Sequence, residues 1–232
     1  MTQLRIEPDG PVWRLGVDRP PANALDLDLA RAIAAALAEV EAAACRAIVL
    51  TGAGRFFSGG IDVKRLPLAD REERAELLRT INATILRLYG LAKPAVAAVN
   101  GHALGGALVL ALACDVRFAA AGEHRLGLTE AAAGIPFPAG PLLVVQAEVT
   151  GREARLATAV GEACMPERAR AIGLIDAVVP GDRLLAEATG RAAELIAIPG
   201  FAAVKAQLRR STLERMRAVI AADAEPLLQG WI

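Results

Sequence analysis

Two pairs of adjacent glycines, Gly59-Gly60 and Gly105-Gly106, are the first features of this sequence that point to chemistry. Each pair follows a short apolar segment typical of a buried strand and precedes a segment with helical character. A glycine turn before a helix leaves backbone N–H groups free to bind an anion or a polarised oxygen. Tight turns and close packing also require glycine, so a structural role is the better explanation of either pair taken alone.

The residues around these turns argue against three familiar kinds of site. Residues 47–54 begin like a dinucleotide-binding fingerprint, but Phe57 occupies the third glycine position. Neither turn ends in the Gly-Lys-Ser/Thr of a phosphate-binding P-loop. Ser58 lies outside a G-x-S-x-G elbow, and His102 and His124 are the two histidines of the chain, which disfavours a serine hydrolase.

Hydrophobic periodicity predicts the elements that carry these turns. Strands are predicted in a hairpin over residues 4–17 and then at 47–50, 95–99, 116–119 and 174–179. Helices are predicted at 28–43, 71–89 and 106–113, and the chain after 141 is mostly helical, with two final helices separated at 199–200. Strand, glycine turn and helix recur in a β-β-α rhythm. We expect an α/β catalytic core over 1–180 and a helical C-terminal region over 181–232.

Composition excludes several classes of partner. Lys and Arg total 26 and Asp and Glu total 26, so no net charge attracts nucleic acid or an anionic membrane. The hydrophobic fraction is 54%, but no apolar stretch reaches the ~20 residues of a membrane span, and the N-terminus lacks a secretory h-region. Cys45, Cys114 and Cys164 suggest neither disulfides nor a zinc site, and we interpret them as core residues. A cytoplasmic protein without a metal is expected.

Four segments that contain or flank the turns carry a family resemblance. Residues 46–52 are RAIVLTG, residues 57–63 are FSGGIDV, and residues 93–106 are KPAVAAVNGHALGG, continuing as ACDVR at 113–117. RPPANAL at 19–25 and AIGLIDAVVP at 171–180 extend the match over nearly the whole chain. The sequence resembles the crotonase (enoyl-CoA hydratase/isomerase) superfamily, and the 93–117 segment is its most diagnostic block.

This resemblance implies a fold, a substrate and an oxyanion hole. The fold would be a crotonase-like spiral of β-β-α units with a helical C-terminal region that trimerises, as a homotrimer or a dimer of trimers. The substrate would be an acyl-CoA, so coenzyme A enters with the substrate and no separate cofactor is expected. The backbone N–H groups of Ile61 and Gly106 would stabilise the negative charge that an enolate places on the thioester oxygen.

The resemblance also implies a single acid–base residue. Hydratases of the family carry two glutamates, whereas here the first position is Val109 and the second is Glu130. The segment 126–130, LGLTE, is close to the form found in Δ3,Δ2-enoyl-CoA isomerases. Adding water calls for a group that activates water and a proton source, while moving a double bond needs one base that takes and returns a proton. We therefore expect Glu130 to catalyse isomerisation.

Further residues are assigned to substrate binding by their positions in the matched segments. Gly60 belongs to the first glycine turn, and His102 before the second is a candidate substrate contact, with packing or hydrogen bonding as its alternative. The backbone of the loops is expected to contact the adenine and pantetheine parts of CoA at Ala22, Ala24, Ser58, Asp62 and Val63. An apolar acyl pocket that raises the pKa of Glu130 is expected from Ile135, Pro136 and Phe137. Three cations are weaker candidates for attracting CoA phosphates: Lys64, Arg65 and Lys205.

Two other readings stay open at the level of sequence. The chain could be a hydratase, a thioesterase or another acyl-CoA lyase that recruits a different acid or a water, and a second carboxylate facing Glu130 would favour that reading. It could also be a catalytically weak acyl-CoA-binding protein, in which changing Glu130 to Gln has no kinetic effect.

Overall fold

The computed structural model of the protein describes residues 3–230, which form strands and helices in alternation over the first half and mainly helices over the second. The strands are β1 (Leu4–Asp9), β2 (Val12–Val17), β3 (Ala47–Gly52), β4 (Phe56–Ser58), β5 (Ala95–Val99), β6 (His102–Leu104), β7 (Val116–Ala120), β8 (Leu126–Gly127) and β9 (Ala177–Val179). The helices are α1 (Leu27–Ala42), α2 (Arg71–Tyr89), α3 (Gly106–Ala113), α4 (Glu130–Ala133), α5 (Ala139–Glu148), α6 (Arg152–Val160), α7 (Pro166–Ala171), α8 (Leu184–Ile196), α9 (Phe201–Ala221) and α10 (Leu227–Gly230).

The strands of the described residues form two sheets. The larger has six strands in the order β1-β2-β3-β5-β7-β9, and the smaller has three in the order β4-β6-β8. β1 and β2 form the predicted antiparallel hairpin, and all other neighbouring strands pair in parallel. Parallel neighbours require crossover connections, which the intervening helices supply.

Three successive units share one arrangement of strands. In β3-β4-α2, β5-β6-α3 and β7-β8-α4, the first strand joins the larger sheet and the second joins the smaller sheet. The polypeptide therefore advances by one strand in each sheet with every unit. This confirms the predicted α/β spiral of β-β-α units.

The larger sheet is buried on both faces, which explains the continuous apolar runs of its central strands. Alternate residues of β5 belong to different hydrophobic clusters: Ala95, Ala97 and Val99 pack into the main core, and Val96 and Ala98 into a second cluster. The first face is covered by helices that include α1, α2 and α3. The second face is covered mainly by buried residues of α8. The C-terminal helices therefore complete the core around the sheet.

Acidic N-caps fix the starts of two predicted helices. The Asp26 carboxylate accepts a hydrogen bond from Leu29 N at 3.0 Å, and the Asp70 carboxylate accepts one from Glu73 N at 2.9 Å. Each cap satisfies an amide that has no partner within its helix. The helix predicted over 28–43 forms as α1, one residue earlier, and α2 has the predicted bounds.

The observed strand β9 is shorter than the strand predicted over 174–179. The first half of that apolar run instead forms the turn that follows α7. Leu174 N and Ile175 N donate to Ala169 O at 2.9 and 3.4 Å, and Gly173 between them and α7 has φ +86°. This is the reverse turn that commonly follows an α-helix, in which an apolar residue packs back onto the helix. Pairing with β7 begins only at Asp176, whose N–H donates to Arg117 O.

A buried ion cluster anchors α9 to the sheet and corrects the expectation for Lys205. The Lys205 side chain is 7% exposed, and its ammonium lies 2.8 Å from the Asp115 carboxylate. Arg209 contacts the same carboxylate at 3.2 Å. Burial lowers the pKa of Lys205, and the Asp115 charge opposes that shift. Lys205 is thus a structural residue of the interior and does not attract CoA phosphates.

Cys45, Cys114 and Cys164 are free thiols buried in the core, as predicted. In the part of the chain that the structure describes, no helix combines the length and the apolar character needed to cross a membrane.

Candidate active site at the edge of the smaller sheet

All three strands of the smaller sheet end at the site. β4 is followed by Gly59-Gly60-Ile61, β6 by Gly105-Gly106, and β8 leads within three residues to Glu130. Because β4, β6 and β8 are parallel, their carboxyl ends lie at the same edge of the sheet. The fold therefore brings together the two glycine turns and the glutamate, although they are separated by tens of residues in sequence.

The first turn presents the N–H group of Ile61. Leu25 N donates to Gly60 O at 2.7 Å and Asp62 N donates to Leu25 O at 2.9 Å, so Leu25 forms a parallel bridge with Ile61. In a parallel bridge the flanking peptide groups make both hydrogen bonds, and the N–H of the bridged residue points to the other side. Within residues 3–230 the Ile61 N–H donates to no protein group.

The second turn presents the N–H group of Gly106. This residue is the first of α3, and a first-turn amide has no partner inside its own helix. Gly105 before it has φ +55° and ψ −127°, a conformation that a residue with a side chain rarely adopts. Among the described residues, the Gly106 N–H also has no partner outside the helix.

The two turns are packed against each other. Gly60 has φ +76°, and a Cβ atom added to it would lie 2.3 Å from Leu104 O and 3.4 Å from Gly106 N. Backbone approach this close requires glycine at position 60. The Ile61 and Gly106 amides are thus neighbouring donors on fixed backbone.

Glu130 lies beside these donors in a largely apolar environment. Its side chain is 8% exposed, and a Cβ atom added to Gly105 would lie 3.3 Å from Oε1 of Glu130. Oε2 of Glu130 is buried and has no hydrogen-bond partner in the part of the chain that the structure describes. Burial disfavours the charged carboxylate and raises the pKa of Glu130 to about 7. A carboxyl group with this pKa is suited to taking up and releasing a proton near neutral pH.

Two cavities meet at these groups, and we call them the outer cleft and the inner chamber. Ile61, Gly106 and Glu130 line both. The outer cleft is otherwise lined by the turn residues and by Val63, Thr129, Ala133 and Ile135. The inner chamber continues between α1, α2, α3 and the segment before α5, and its further lining includes Ile33, Ile81, Thr84, Ile85, Val109 and Leu110. A substrate could therefore extend from the cleft past Glu130 into the chamber.

Val109 lines the inner chamber as a fully buried apolar residue. Among the described residues that line the cleft and the chamber, Glu130 carries the only carboxylate. Acidic side chains do lie nearby, at Asp26 and Asp62, but they line an adjoining pocket instead of the cleft or the chamber and are engaged by arginines. The site thus offers one acid–base group.

The structure places the predicted binding residues of the first loop in different roles. Val63 is 52% exposed and lines the outer cleft. Ser58 is buried, and its hydroxyl donates to Asn23 O at 2.7 Å and accepts from Gly60 N at 3.2 Å. Ala22 O accepts from Gly59 N at 2.8 Å. Ser58 and Ala22 therefore hold the first turn in place, and Val63 faces the space beside it.

Ala24 and Asp62 take part in a network with arginines. Ala24 O accepts from the Arg19 guanidinium at 2.8 Å. The Asp62 carboxylate accepts from the N–H groups of Lys64 and Arg65 at 3.2 Å each and lies 3.8 Å from Arg19. Asp62 thus caps the turn that follows it. The Arg65 guanidinium lies 2.8 Å from the Asp26 carboxylate.

Two predicted contacts lie away from both cavities. His102 packs against Phe56 with ring centroids 4.8 Å apart and the ring planes tilted by 35°, and its Nδ1 accepts a hydrogen bond from Arg125 N at 3.0 Å. Burial, reinforced by the nearby arginines, lowers the pKa of His102. Phe137 packs against the main core and lines neither cavity. For these two residues the structure shows packing and hydrogen bonding, and neither lines the outer cleft or the inner chamber.

The expected acyl pocket is therefore built differently from the sequence-based proposal. Pro136 lines the inner chamber and Ile135 lines the outer cleft, so the segment contributes to both cavities. Five residues of the chamber wall come from α1 and α2, where the sequence shows only the apolar periodicity of an ordinary amphipathic helix. Nothing in that periodicity distinguishes a residue facing a cavity from one in solid core.

Asn23 is a positioning residue that the sequence reading did not assign. It is 2% exposed with φ +51°, and its amide donates to Ala53 O at 3.0 Å and to Phe56 O at 2.8 Å. Its Oδ1 accepts from Arg19 N at 2.8 Å. These bonds tie the loop before α1 to the strand that carries the first turn. The feature of the sequence that could have identified Asn23 is that it is the polar residue of the otherwise apolar segment 22–25.

Comparison with known proteins places this site in a family context. The family model "Enoyl-CoA hydratase/isomerase" matches residues 9–229. A Bacillus subtilis (strain 168) protein named "Probable enoyl-CoA hydratase" is 37% identical over 137 residues, which are 58% of this chain and 53% of that protein. The 2,3-dehydroadipyl-CoA hydratase of Escherichia coli (strain K12) is 33% identical over 97% of this chain and 89% of its own. The human mitochondrial delta3-delta2-enoyl-CoA isomerase structure superimposes with TM-score 0.89 at 28% identity, over 95% of this chain and 88% of that chain.

Proposed function

Because the chain belongs to the enoyl-CoA hydratase/isomerase family, we propose that it is an acyl-CoA enzyme that shifts a double bond from the Δ3 to the Δ2 position, with Glu130 as its single acid–base group. One observation carries the choice of isomerisation. Among the described residues lining the outer cleft and the inner chamber, Glu130 supplies the only carboxylate.

The thioester oxygen of the substrate binds to the amides of Ile61 and Gly106. Removing a proton from C2 converts the thioester into an enolate and places negative charge on this oxygen. The two N–H groups are already oriented and unpartnered, so they stabilise the developing charge without reorganising. Loss of one such donor in comparable sites lowers turnover by roughly 10²–10³-fold. Since the donors are main-chain groups, the bulk of the Ile61 side chain does not remove them.

Glu130 moves the proton. Its carboxylate takes the C2 proton of a 3-enoyl-CoA, and the C–H electron pair enters a dienolate that extends from the thioester oxygen to C4. Protonated Glu130 then delivers the same proton to C4, and the electron pairs shift to leave a double bond between C2 and C3. Atoms balance without water or a second acid. The pKa of about 7 allows Glu130 to act as base in the first step and as acid in the second.

Val109 supports isomerisation over hydration. Water addition to a 2-enoyl-CoA needs one group to orient and activate the water and a proton source for C2. Val109 is fully buried and apolar. It occupies the position at which, by the family resemblance, hydratases carry the first of their two glutamates. It neither holds a water nor exchanges a proton.

The test is to supply purified protein separately with 3-enoyl-CoA and 2-enoyl-CoA substrates of several lengths. Absorbance follows conjugation of the double bond, and mass spectrometry follows addition of water. Migration of the double bond that disappears in Glu130→Gln supports the proposal. Water addition without migration contradicts it and agrees with the hydratase names of several relatives. Tight thioester binding without any turnover favours a binding protein.

We also expect self-association, as a homotrimer or a dimer of trimers, on the basis of the family resemblance. Apolar side chains exposed on α9 support a subunit contact there: Leu208 is 80% exposed and Val204 is 52% exposed. Light scattering on wild type and Leu208→Glu would test this, since an interface containing Leu208 is disrupted by a buried charge.

A further inference from the structure

The proposed mechanism uses Glu130 and leaves one polar group of the inner chamber without a function. Thr84 lies on α2, lines the chamber and is 4% exposed. Its hydroxyl oxygen is buried and has no hydrogen-bond partner among the protein groups of residues 3–230. Leaving a hydroxyl unpartnered away from water costs about 1–3 kcal/mol, so a native structure that keeps one in a cavity wall calls for an explanation.

Another threonine of the same chain shows the usual arrangement. Thr158 lies within α6, and its hydroxyl donates to Ala154 O, four residues earlier, at 2.8 Å. A threonine in a helix commonly makes this bond, which satisfies the hydroxyl within its own helix. Thr51 in β3 likewise donates to Ala98 O at 2.8 Å. Thr84 makes neither kind of bond, so its hydroxyl remains available to a group that enters the chamber.

The walls of the chamber restrict what that group can be. Apart from Thr84 and Glu130, the described lining residues are hydrophobic, glycine or proline. No cationic side chain lines the chamber in the described part of the chain, so a charged carboxylate on the acyl group would be buried without a counter-ion. A purely hydrocarbon chain would bury the Thr84 hydroxyl without a partner. A neutral oxygen both fits the apolar walls and satisfies the hydroxyl.

We propose that Thr84 is a specificity-determining residue that selects acyl groups carrying a neutral hydrogen-bonding oxygen, a hydroxyl or a keto group, on the part of the chain beyond the migrating double bond. This inference rests on the proposed function, because it takes the inner chamber as the site of the acyl tail. The Thr84 hydroxyl donates to a keto oxygen and either donates to or accepts from a hydroxyl.

The experiment compares matched 3-enoyl-CoA substrates of equal carbon number, either unsubstituted or hydroxylated at successive carbons beyond C4. The kcat/KM ratio of the best hydroxylated substrate to the unsubstituted one is measured for wild type and for Thr84→Val, which keeps the shape and removes the hydroxyl. We expect the ratio to fall at least about tenfold in Thr84→Val, chiefly because wild type discriminates against the unsubstituted chain. Thr84→Ser keeps the hydroxyl and should restore the wild-type ratio.

Thr158→Val is the matched control, since it removes a threonine hydroxyl whose partner lies within its own helix. It should leave the ratio unchanged. An equal ratio in wild type and Thr84→Val overturns the inference while the proposed function stands. Calorimetric binding of saturated acyl-CoA and hydroxyacyl-CoA gives the same comparison without turnover. If wild type binds both equally and turns over no 3-enoyl-CoA, both proposals fail.

Discussion

The polar groups buried around Glu130 and those buried beneath α9 have opposite environments. At the site, Oε2 of Glu130 and the hydroxyl of Thr84 have no partner in the described residues. Beneath α9, the Asp115 carboxylate meets Lys205 at 2.8 Å and Arg209 at 3.2 Å and accepts from Ala95 N at 2.8 Å.

Glu225, in the C-terminal segment, is a third buried carboxylate, and like Asp115 it has hydrogen-bond partners. Glu225 is 3% exposed, accepts from Asn82 Nδ2 at 2.6 Å and from Ala139 N at 2.8 Å, and so joins the segment between α9 and α10 to α2 and α5. Burying a polar group is costly unless its hydrogen bonds are satisfied. Satisfied groups such as Glu225 stabilise the fold, whereas the unsatisfied group of Glu130 retains the capacity to exchange a proton with a substrate.

Replacing Glu130 with Gln should have the largest effect of the changes proposed, and this effect should be on turnover and not on stability. Isomerase kcat/KM should fall by roughly 10²–10⁴-fold, because the amide neither takes nor returns a proton. The free energy of unfolding at pH 8 should not decrease by more than about 1 kcal/mol, since the substitution removes a buried charge without a partner. Steady-state kinetics and urea denaturation measure the two quantities on the same preparation.

Glu214→Gln is the control for this change, because Glu214 is an exposed glutamate of α9. It should alter neither quantity. A Glu130→Gln protein that is strongly destabilised and loses activity only in proportion to its unfolded fraction would place Glu130 with the structural carboxylates.

Replacing Asp115 with Ala should give the reverse pattern. It leaves the ammonium of Lys205 and the guanidinium of Arg209 buried without their counter-ion, so the free energy of unfolding should fall by about 3–5 kcal/mol. The kcat/KM of the folded fraction should stay near that of wild type, because none of these side chains lines the outer cleft or the inner chamber.

The double variant Asp115→Leu with Lys205→Met sharpens this prediction. Removing one cation together with the carboxylate should recover part of the lost stability, as expected when a buried ion pair is replaced by apolar groups. Equal destabilisation by the single and double variants would mean that the cluster contributes mainly through packing.

The same contrast limits what could be predicted from sequence. The glycine turns and the β-β-α rhythm are local patterns and were predicted from the residues themselves, whereas the spiral and the pairing of the Ile61 and Gly106 amides were expected from the family resemblance. Lys205 was misassigned because an isolated lysine on a helix has the same sequence signature whether it faces solvent or, as here, a carboxylate that lies 90 positions away. Thr84 was not assigned for a similar reason. Whether its hydroxyl bonds within α2 depends on side-chain rotamer and packing, which no local pattern encodes.

The pH dependence of turnover should give the smallest effect, and it tests the environment of Glu130 most directly. Burial raises the pKa of Glu130 to about 7, and the first step requires the ionised carboxylate. The ionised fraction therefore increases as pH rises through 7, so kcat/KM should rise about tenfold from pH 6 to pH 8 and then level off. Residual activity of Glu130→Gln measured over the same range should be flat, which separates Glu130 from titration of the substrate phosphates. A plateau that already extends below pH 5.5 would mean that the carboxylate is hydrated or paired in solution, like an ordinary surface glutamate, and the contrast between the two buried regions would then disappear.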